Sequence, residues 1–139
     1  FFLDEQHSGQ EQVAYYAQLC RHIRKRLPKA IVIGNPGTTC EAKYLAEGVL
    51  DAACLYERNG GFDTAAWPDW ATKLSPERQA AIVYQIESNQ ALADHLRAAE
   101  KRGIGWVYFT DAVGANPYDR LPTYWEAEVD GVADVSDCP

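Results

Sequence analysis

The chain has 139 residues, 47% of them hydrophobic and 12% aromatic, enough for one packed domain and unlike a disordered segment. Its formal net charge of -7 argues against nucleic-acid binding, which needs a basic face. No apolar run reaches the ~18–20 residues of a membrane span.

The chain opens on Phe1-Phe2-Leu3, which reads as the end of a buried strand, and runs into Asp4-Glu5. Ser8 and Glu11 have capping-box spacing. Val13, Tyr16, Ala17, Cys20 and Leu27 then share one helical face until Pro28 stops the helix. Arg21, Arg24, Lys25 and Arg26 close that helix, where cations suit its dipole better than they make a polyanion site. A second strand, 30–33, ends at Gly34-Asn35-Pro36-Gly37, and Thr38 and Glu41 offer another capping box for a short helix ending near Gly48. The third strand, 52–56, ends at Glu57. In the stretch 62–74, Trp67 and Trp70 read as packing residues before sugar platforms. The fourth strand, 81–86, leads to a helix capped by Ser88-Asn89 and closed by Gly103. The fifth, 106–109, ends at Thr110-Asp111, and the loop 116–122 leads to a last helix carrying Tyr124 and Trp125, with a loose tail after Gly131.

Strand alternating with helix is the pattern of βαβ units on a parallel sheet, so the fold class is α/β. Near-continuous apolar strands predict a sheet covered on both faces. The cysteines show no CxxC spacing, against a zinc or thioredoxin-type site. Cys20 and Cys54 read as buried thiols, whereas Cys40 and Cys138 fall in more exposed contexts, open to a bridge in an oxidising compartment. His22 and His95 read as surface residues of helices, and His7 lies near the strand ends; none has metal-ligand spacing. Gly60-Gly61 is followed by no phosphate-binding fingerprint, and no cofactor motif appears.

Polar residues gather at one end of every strand: Asp4 and Glu5, Asn35, Glu57, Gln85 and Glu87, Thr110 and Asp111. In a parallel sheet these ends converge on one rim. A strand-end carboxylate often only caps the next helix or meets an arginine. Two facing carboxylates, however, are what glycosidic cleavage needs, one donating a proton and one staying ionised. Asp4 or Glu5 with Glu57 supplies such a pair, and Tyr56, Trp67, Trp70 and Tyr118 are aromatics available to sugar rings.

Five segments in this order resemble the spherulin-4-like family. They are Phe1-Phe2-Leu3-Asp4-Glu5, Ile33-Gly34-Asn35-Pro36-Gly37-Thr38, Leu55-Tyr56-Glu57, Tyr108-Phe109-Thr110-Asp111, and Asn116-Pro117-Tyr118-Asp119-Arg120-Leu121-Pro122. The resemblance implies a (β/α)8 TIM-barrel glycoside hydrolase, secreted or surface-associated, endo-acting on α-1,4-linked galactosamine and N-acetylgalactosamine polymers without a cofactor. An acidic chain would suit a polymer bearing free amines. On that template residues 1–131 form the C-terminal portion of the barrel, strands four to eight, with 132–139 a tail. An upstream segment or a second chain would complete the barrel. The expected catalytic residues are Asp4, Glu5 and Glu57. Glu57 would be the general acid/base, Asp4 the nucleophile or charge stabiliser, and Glu5 a tuning group or substrate contact. Asn35, Tyr56, Gln85, Thr110, Asp111 and Tyr118 are the expected substrate contacts. The competing expectation is a non-catalytic carbohydrate-binding or spore/cyst-coat protein of the same fold.

Overall fold

A computed structural model describes residues 1–46, 48–62 and 67–136. Five parallel strands are joined in sequence order: β1 (Phe2–Leu3), β2 (Ile33–Gly34), β3 (Ala52–Asn59), β4 (Gln79–Tyr84) and β5 (Trp106–Phe109). Helix α1 (Val13–Arg26) links β1 to β2, α2 (Asn89–Arg102) links β4 to β5, and α3 (Trp125–Ser136) follows. Parallel crossovers are right-handed, so a sheet that always steps the same way gathers its helices on one face. The core accordingly joins Cys20 and Ile23 of α1 and Leu92, Leu96 and Ala99 of α2 to Ala53, Leu55, Ala81, Val83 and Phe109 of the strands.

The opposite face is not covered in the same way, which corrects the two-sided expectation. Phe2 is 52% exposed there, and Ile82 and Tyr108 stand half-buried in the wall of a cleft. Apolar strands cannot distinguish a buried face from a cleft wall, because both use the same residue types. Among the described residues β1 and β5 are the sheet edges, and Phe1 and Phe2 are exposed rather than buried.

Several element boundaries move for identifiable reasons. β2 shrinks to Ile33–Gly34 because residues 30–32 spend their backbone groups elsewhere. Ala30 N–H donates to Leu27 O, Val32 N–H to Asp51 Oδ2, and Val32 O accepts from Asp51 N–H. β4 starts two residues early, at Gln79, and ends before Gln85, whose φ of 64° leaves the extended region. Neither capping box forms. Glu11 instead pairs with His7, while Ser8 gives its carbonyl to Glu41 N–H. The Ser88 cap does form, with Ala91 N–H donating to its hydroxyl, and Gly103 closes α2.

Cys40 is buried at 4% exposure, against the expectation of an exposed thiol, and burial pushes it up to about 11. Cys20 and Cys54 are buried as expected. Cys138 lies outside the described residues. His95 is half-buried, its ring edge-on to Phe109 at 5.7 Å, because α2 turns it inward between Leu92 and Leu96. The expected tail is helical as far as Ser136. Gly131, where the loose tail is expected to begin, is a contact glycine: a Cβ there would stand 2.6 Å from Leu96 Cδ1, so α3 approaches α2 closely at this point. Among the described residues no helix is long and apolar enough to cross a membrane.

Glu128 of α3 is 3% exposed and accepts from Phe109 N–H at 2.7 Å, tying α3 to β5. Burial raises its carboxyl from 4.5 to about 7. The folded chain therefore holds a proton that the unfolded chain releases across that window, and the cost of ionising Glu128 grows as pH rises through it. Glu128→Gln should gain stability relative to the native chain between pH 4.5 and 7.5, by on the order of 3 kcal/mol at most. Urea midpoints at the two pH values would show this, and an unchanged difference between them would refute it.

Candidate active site

The site is built by the sheet order. β2 lies between β1 and β3, so the residue directly after β2 neighbours the ends of both. That residue is Asn35, 3% exposed. Its Nδ2 donates to Asp4 Oδ1 at 3.0 Å and to Glu57 Oε2 at 2.8 Å. Its Oδ1 accepts from Gly37 N–H at 3.1 Å, an Asx-type turn closed by a residue with φ of 64°. That bond fixes which way the amide points, because the oxygen already has its donor and the NH2 must face the carboxylates. Backbone bonds from Asn35 N–H to Leu3 O and from Gln6 N–H to Asn35 O lock the residue to the end of β1.

Glu57 reaches the cleft through a β-bulge. Cys54 pairs with Ala80 but Tyr56 pairs with Ala81, so Leu55 is an extra residue in β3. Strict alternation from Cys54 would aim Tyr56 at the cleft and Glu57 at the helices, and the bulge exchanges them. Glu57 stands opposite Ile82 and beside Tyr108 on the cleft face. Tyr56 turns into the core at 4% exposure, its hydroxyl donating to Gly61 O and its ring stacked on Trp67. Tyr56 is thus a packing residue and not the substrate contact expected of it. Trp67 is packed as expected, donating Nε1–H to the buried Gln79.

The second oxygen of Glu57 is held from a loop. Tyr118 donates its hydroxyl to Glu57 Oε1, with its ring edge-on to Tyr84 and tilted against Tyr108. Burial, then the neighbouring Glu57, pushes the Tyr118 hydroxyl well above the ordinary tyrosine range, so it stays a donor. Phe2, Asp4, Asn35, Glu57, Ile82, Tyr108 and Tyr118 together enclose about 370 Å³, within the range of small-ligand sites. A larger hollow of about 650 Å³ beside Arg24, Asp51 and Trp106 opens near the starts of β3, β4 and β5, where Asp51 is already bonded by Arg24 and Val32 N–H.

The other expected site residues stand apart. Glu5, with φ of 52° in the turn after β1, is exposed and absent from the cleft wall. Gln85 bends out of β4 and accepts from Asn59. Thr110 is 0% exposed, its hydroxyl capping Ala112 N–H, so it cannot meet a ligand. Asp111 is engaged by Arg120 and Thr123 of the Tyr118 loop. Glu87 and His7 are exposed outside the wall. Phe2, Ile82 and Tyr108 were not expected in the site, although alternation from Glu57 through its register partners would have found the last two. Among the described residues no three His, Cys, Asp or Glu side chains converge as a metal site.

Asn35→Ala should leave Gly37 N–H and both carboxylates without their shared partner and cost about 1–3 kcal/mol in a denaturant titration. Asn35→Asp should be worse than Asn35→Ala at pH 7, since it sets a third carboxylate against two. Equal stability of the two variants at pH 7 would contradict the arrangement.

Residues 1–132 match the family described as Spherulation-specific family 4, Spherulin4. Spherulin-4 of Physarum polycephalum is 26% identical over 142 residues, an alignment covering 94% of this chain and 42% of that protein. The crystal structure of Aspergillus clavatus Sph3 in complex with GalNAc superposes with a TM-score of 0.70 at 16% identity, over 95% of this chain and 55% of that one. The chain thus spans about half the length of these relatives, and the likeness to Sph3 is one of fold. The family match covers nearly the whole chain, and the chain belongs to the spherulin-4 family.

Proposed function

We propose that the protein is a glycoside hydrolase, endo-acting on an amino-sugar polysaccharide of the galactosamine or N-acetylgalactosamine type, with Asp4 and Glu57 as its carboxylate pair. One observation carries this reading: two acids from strands that are not neighbours share the amide of one buried asparagine in one cleft. Membership of the family supports it, as does the GalNAc bound to the related fold. The net charge of -7 suits a polymer that carries amines. On this reading the five strands belong to a (β/α)8 barrel of a secreted or surface-associated protein.

The two hydrogens of an amide nitrogen diverge by about 120°, so the oxygens bonded to them, 3.0 and 2.8 Å from Asn35 Nδ2, lie about 5 Å apart. That falls near the ~5–5.5 Å of retaining glycosidases and short of the ~6.5–9.5 Å that leaves room for an attacking water. Asp4 then attacks the anomeric carbon as Glu57, which enters the cycle protonated, gives that proton to the departing glycosidic oxygen and is left as the carboxylate. Water afterwards cleaves the glycosyl-enzyme with Glu57 as base, and the anomeric configuration is kept. Tyr108 and Tyr118 offer ring faces to the sugar, and Glu5 takes no direct part.

The test is release of reducing ends from a galactosamine-containing polymer by the purified protein. Glu57→Gln and Asp4→Asn should each lower the rate by about 100-fold or more, and NMR of the first-formed product should show the retained anomer. Equal release by the native protein and Glu57→Gln would remove Glu57 from the mechanism. Binding without release would assign the protein instead as a non-catalytic carbohydrate-binding member of the family.

A further inference from the structure

We propose that Asp111 is a positioning residue, which pins the loop of residues 116–123 so that Tyr118 meets Glu57, and that it does not itself touch sugar. The inference rests on the glycosidase reading for its effect on rate, but not for its geometry. Asp111 follows β5 by two residues. Its Oδ1 accepts from Arg120 Nη1 at 2.9 Å and from Thr123 N–H at 3.1 Å, and its Oδ2 accepts from Thr123 Oγ1 at 2.7 Å. Both oxygens are therefore engaged within the protein, and the side chain is only 17% exposed. Arg120 first, then the Thr123 donors, hold its carboxyl down at about 2, so the clamp stays ionised at neutral pH.

The loop is fastened on both sides of Tyr118. Before it, Asn116 Oδ1 accepts from Tyr118 N–H at 3.1 Å. After it, Arg120 spans from Asp111 to Leu121 O, and Tyr108 donates its hydroxyl to Arg120 O. Between these fastenings, the long reach is Tyr118 onto Glu57, 61 positions back in the chain. Asn35 holds one oxygen of Glu57 from the sheet, and Tyr118 holds the other from this loop. Releasing Asp111 frees the loop end and with it one of the two donors that set the plane of the Glu57 carboxylate. Small misplacements of a reacting group cost rate steeply, up to about 100-fold for ~1 Å.

The experiment compares Asp111→Ala, Tyr118→Phe, their double variant, and Arg120→Ala/Thr123→Val, which strips the same clamp from the loop side and leaves Asp111 in place. Spectrophotometric titration of tyrosine ionisation reads the geometry without any activity. The native chain should keep the Tyr118 hydroxyl out of the ordinary range. Asp111→Ala and Arg120→Ala/Thr123→Val should each bring one more tyrosine into ionisation near pH ~10, and in the Tyr118→Phe background neither change should add one. On the polymer, Asp111→Ala and Tyr118→Phe should each lower kcat about 10–100-fold with KM little changed, and the double variant should fall no further than the worse single. An unchanged tyrosine titration in both clamp variants overturns the proposal. So does an additive loss with raised KM in the double variant, which would put Asp111 on the sugar. A native chain that never cleaves the polymer would defeat the glycosidase reading alone, since the titration still decides the role of Asp111.

Discussion

Two carboxylates facing one cleft repel each other, and the structure depends on how that repulsion is met. It is met by a neutral amide. Asn35 gives one hydrogen to Asp4 and the other to Glu57, and Gly37 N–H prevents the amide from flipping. A lysine or arginine there could bond both acids but would set a positive charge between them, whereas the asparagine serves both and stays neutral. Only the strand order makes this possible, because a residue at the end of β2 is the common neighbour of β1 and β3. The short β2, ending at Gly34, brings the chain out of the ladder where the amide is needed.

The bulge in β3 is the second constraint, and it links core to chemistry. A sheet fixes which face a residue takes by counting in twos, so one extra residue exchanges the faces of everything beyond it. Leu55 is that residue, and its insertion turns Tyr56 inward and Glu57 outward. The Tyr56 ring then packs with Trp67 and Phe62, and Trp67 is tied by Gln79 to the start of β4. Gln79 in turn donates to Leu74 O and Gly103 O, which links the bulge's packing to the end of α2. The aim of the catalytic candidate thus rests on a buried aromatic cluster on the far side of the sheet.

Much of the rim was legible because strand ends in a parallel sheet must converge. Asp4, Asn35, Glu57 and Tyr118 all came from that rule or from the family resemblance, and all four meet in the cleft. What stayed illegible depends on partners distant in sequence or on a single inserted residue. Nothing local in Leu55-Tyr56-Glu57 announces a bulge, since a register shift exists only relative to β4. Thr110 and Asp111 follow β5, but their donors, Ala112 and the loop residues Arg120 and Thr123, are fixed by the loop's fold. Gly131 lies inside α3 because the helix packs there on Leu96 of α2, a contact distant in sequence. Cys40 is buried because its loop packs back on the core.

The two donors that hold Glu57 differ in kind, and that difference bears on how a ligand would be received. Asn35 is buried, bonded at every polar atom and seated at the end of a strand. Tyr118 is 42% exposed and rides on a loop, which Asn116, Arg120 and the Tyr108 hydroxyl fasten. Exchanging one hydrogen-bond donor for another is nearly neutral when the acceptor is never left empty, whereas removing a buried donor without replacement is costly. On the proposed reading both donors therefore stay on Glu57 as a sugar enters, Asn35 because it is buried and Tyr118 because Asp111 clamps its loop. The acid pair keeps its spacing through the bond that belongs to the sheet, and Glu57 keeps its plane through the bond that belongs to the loop.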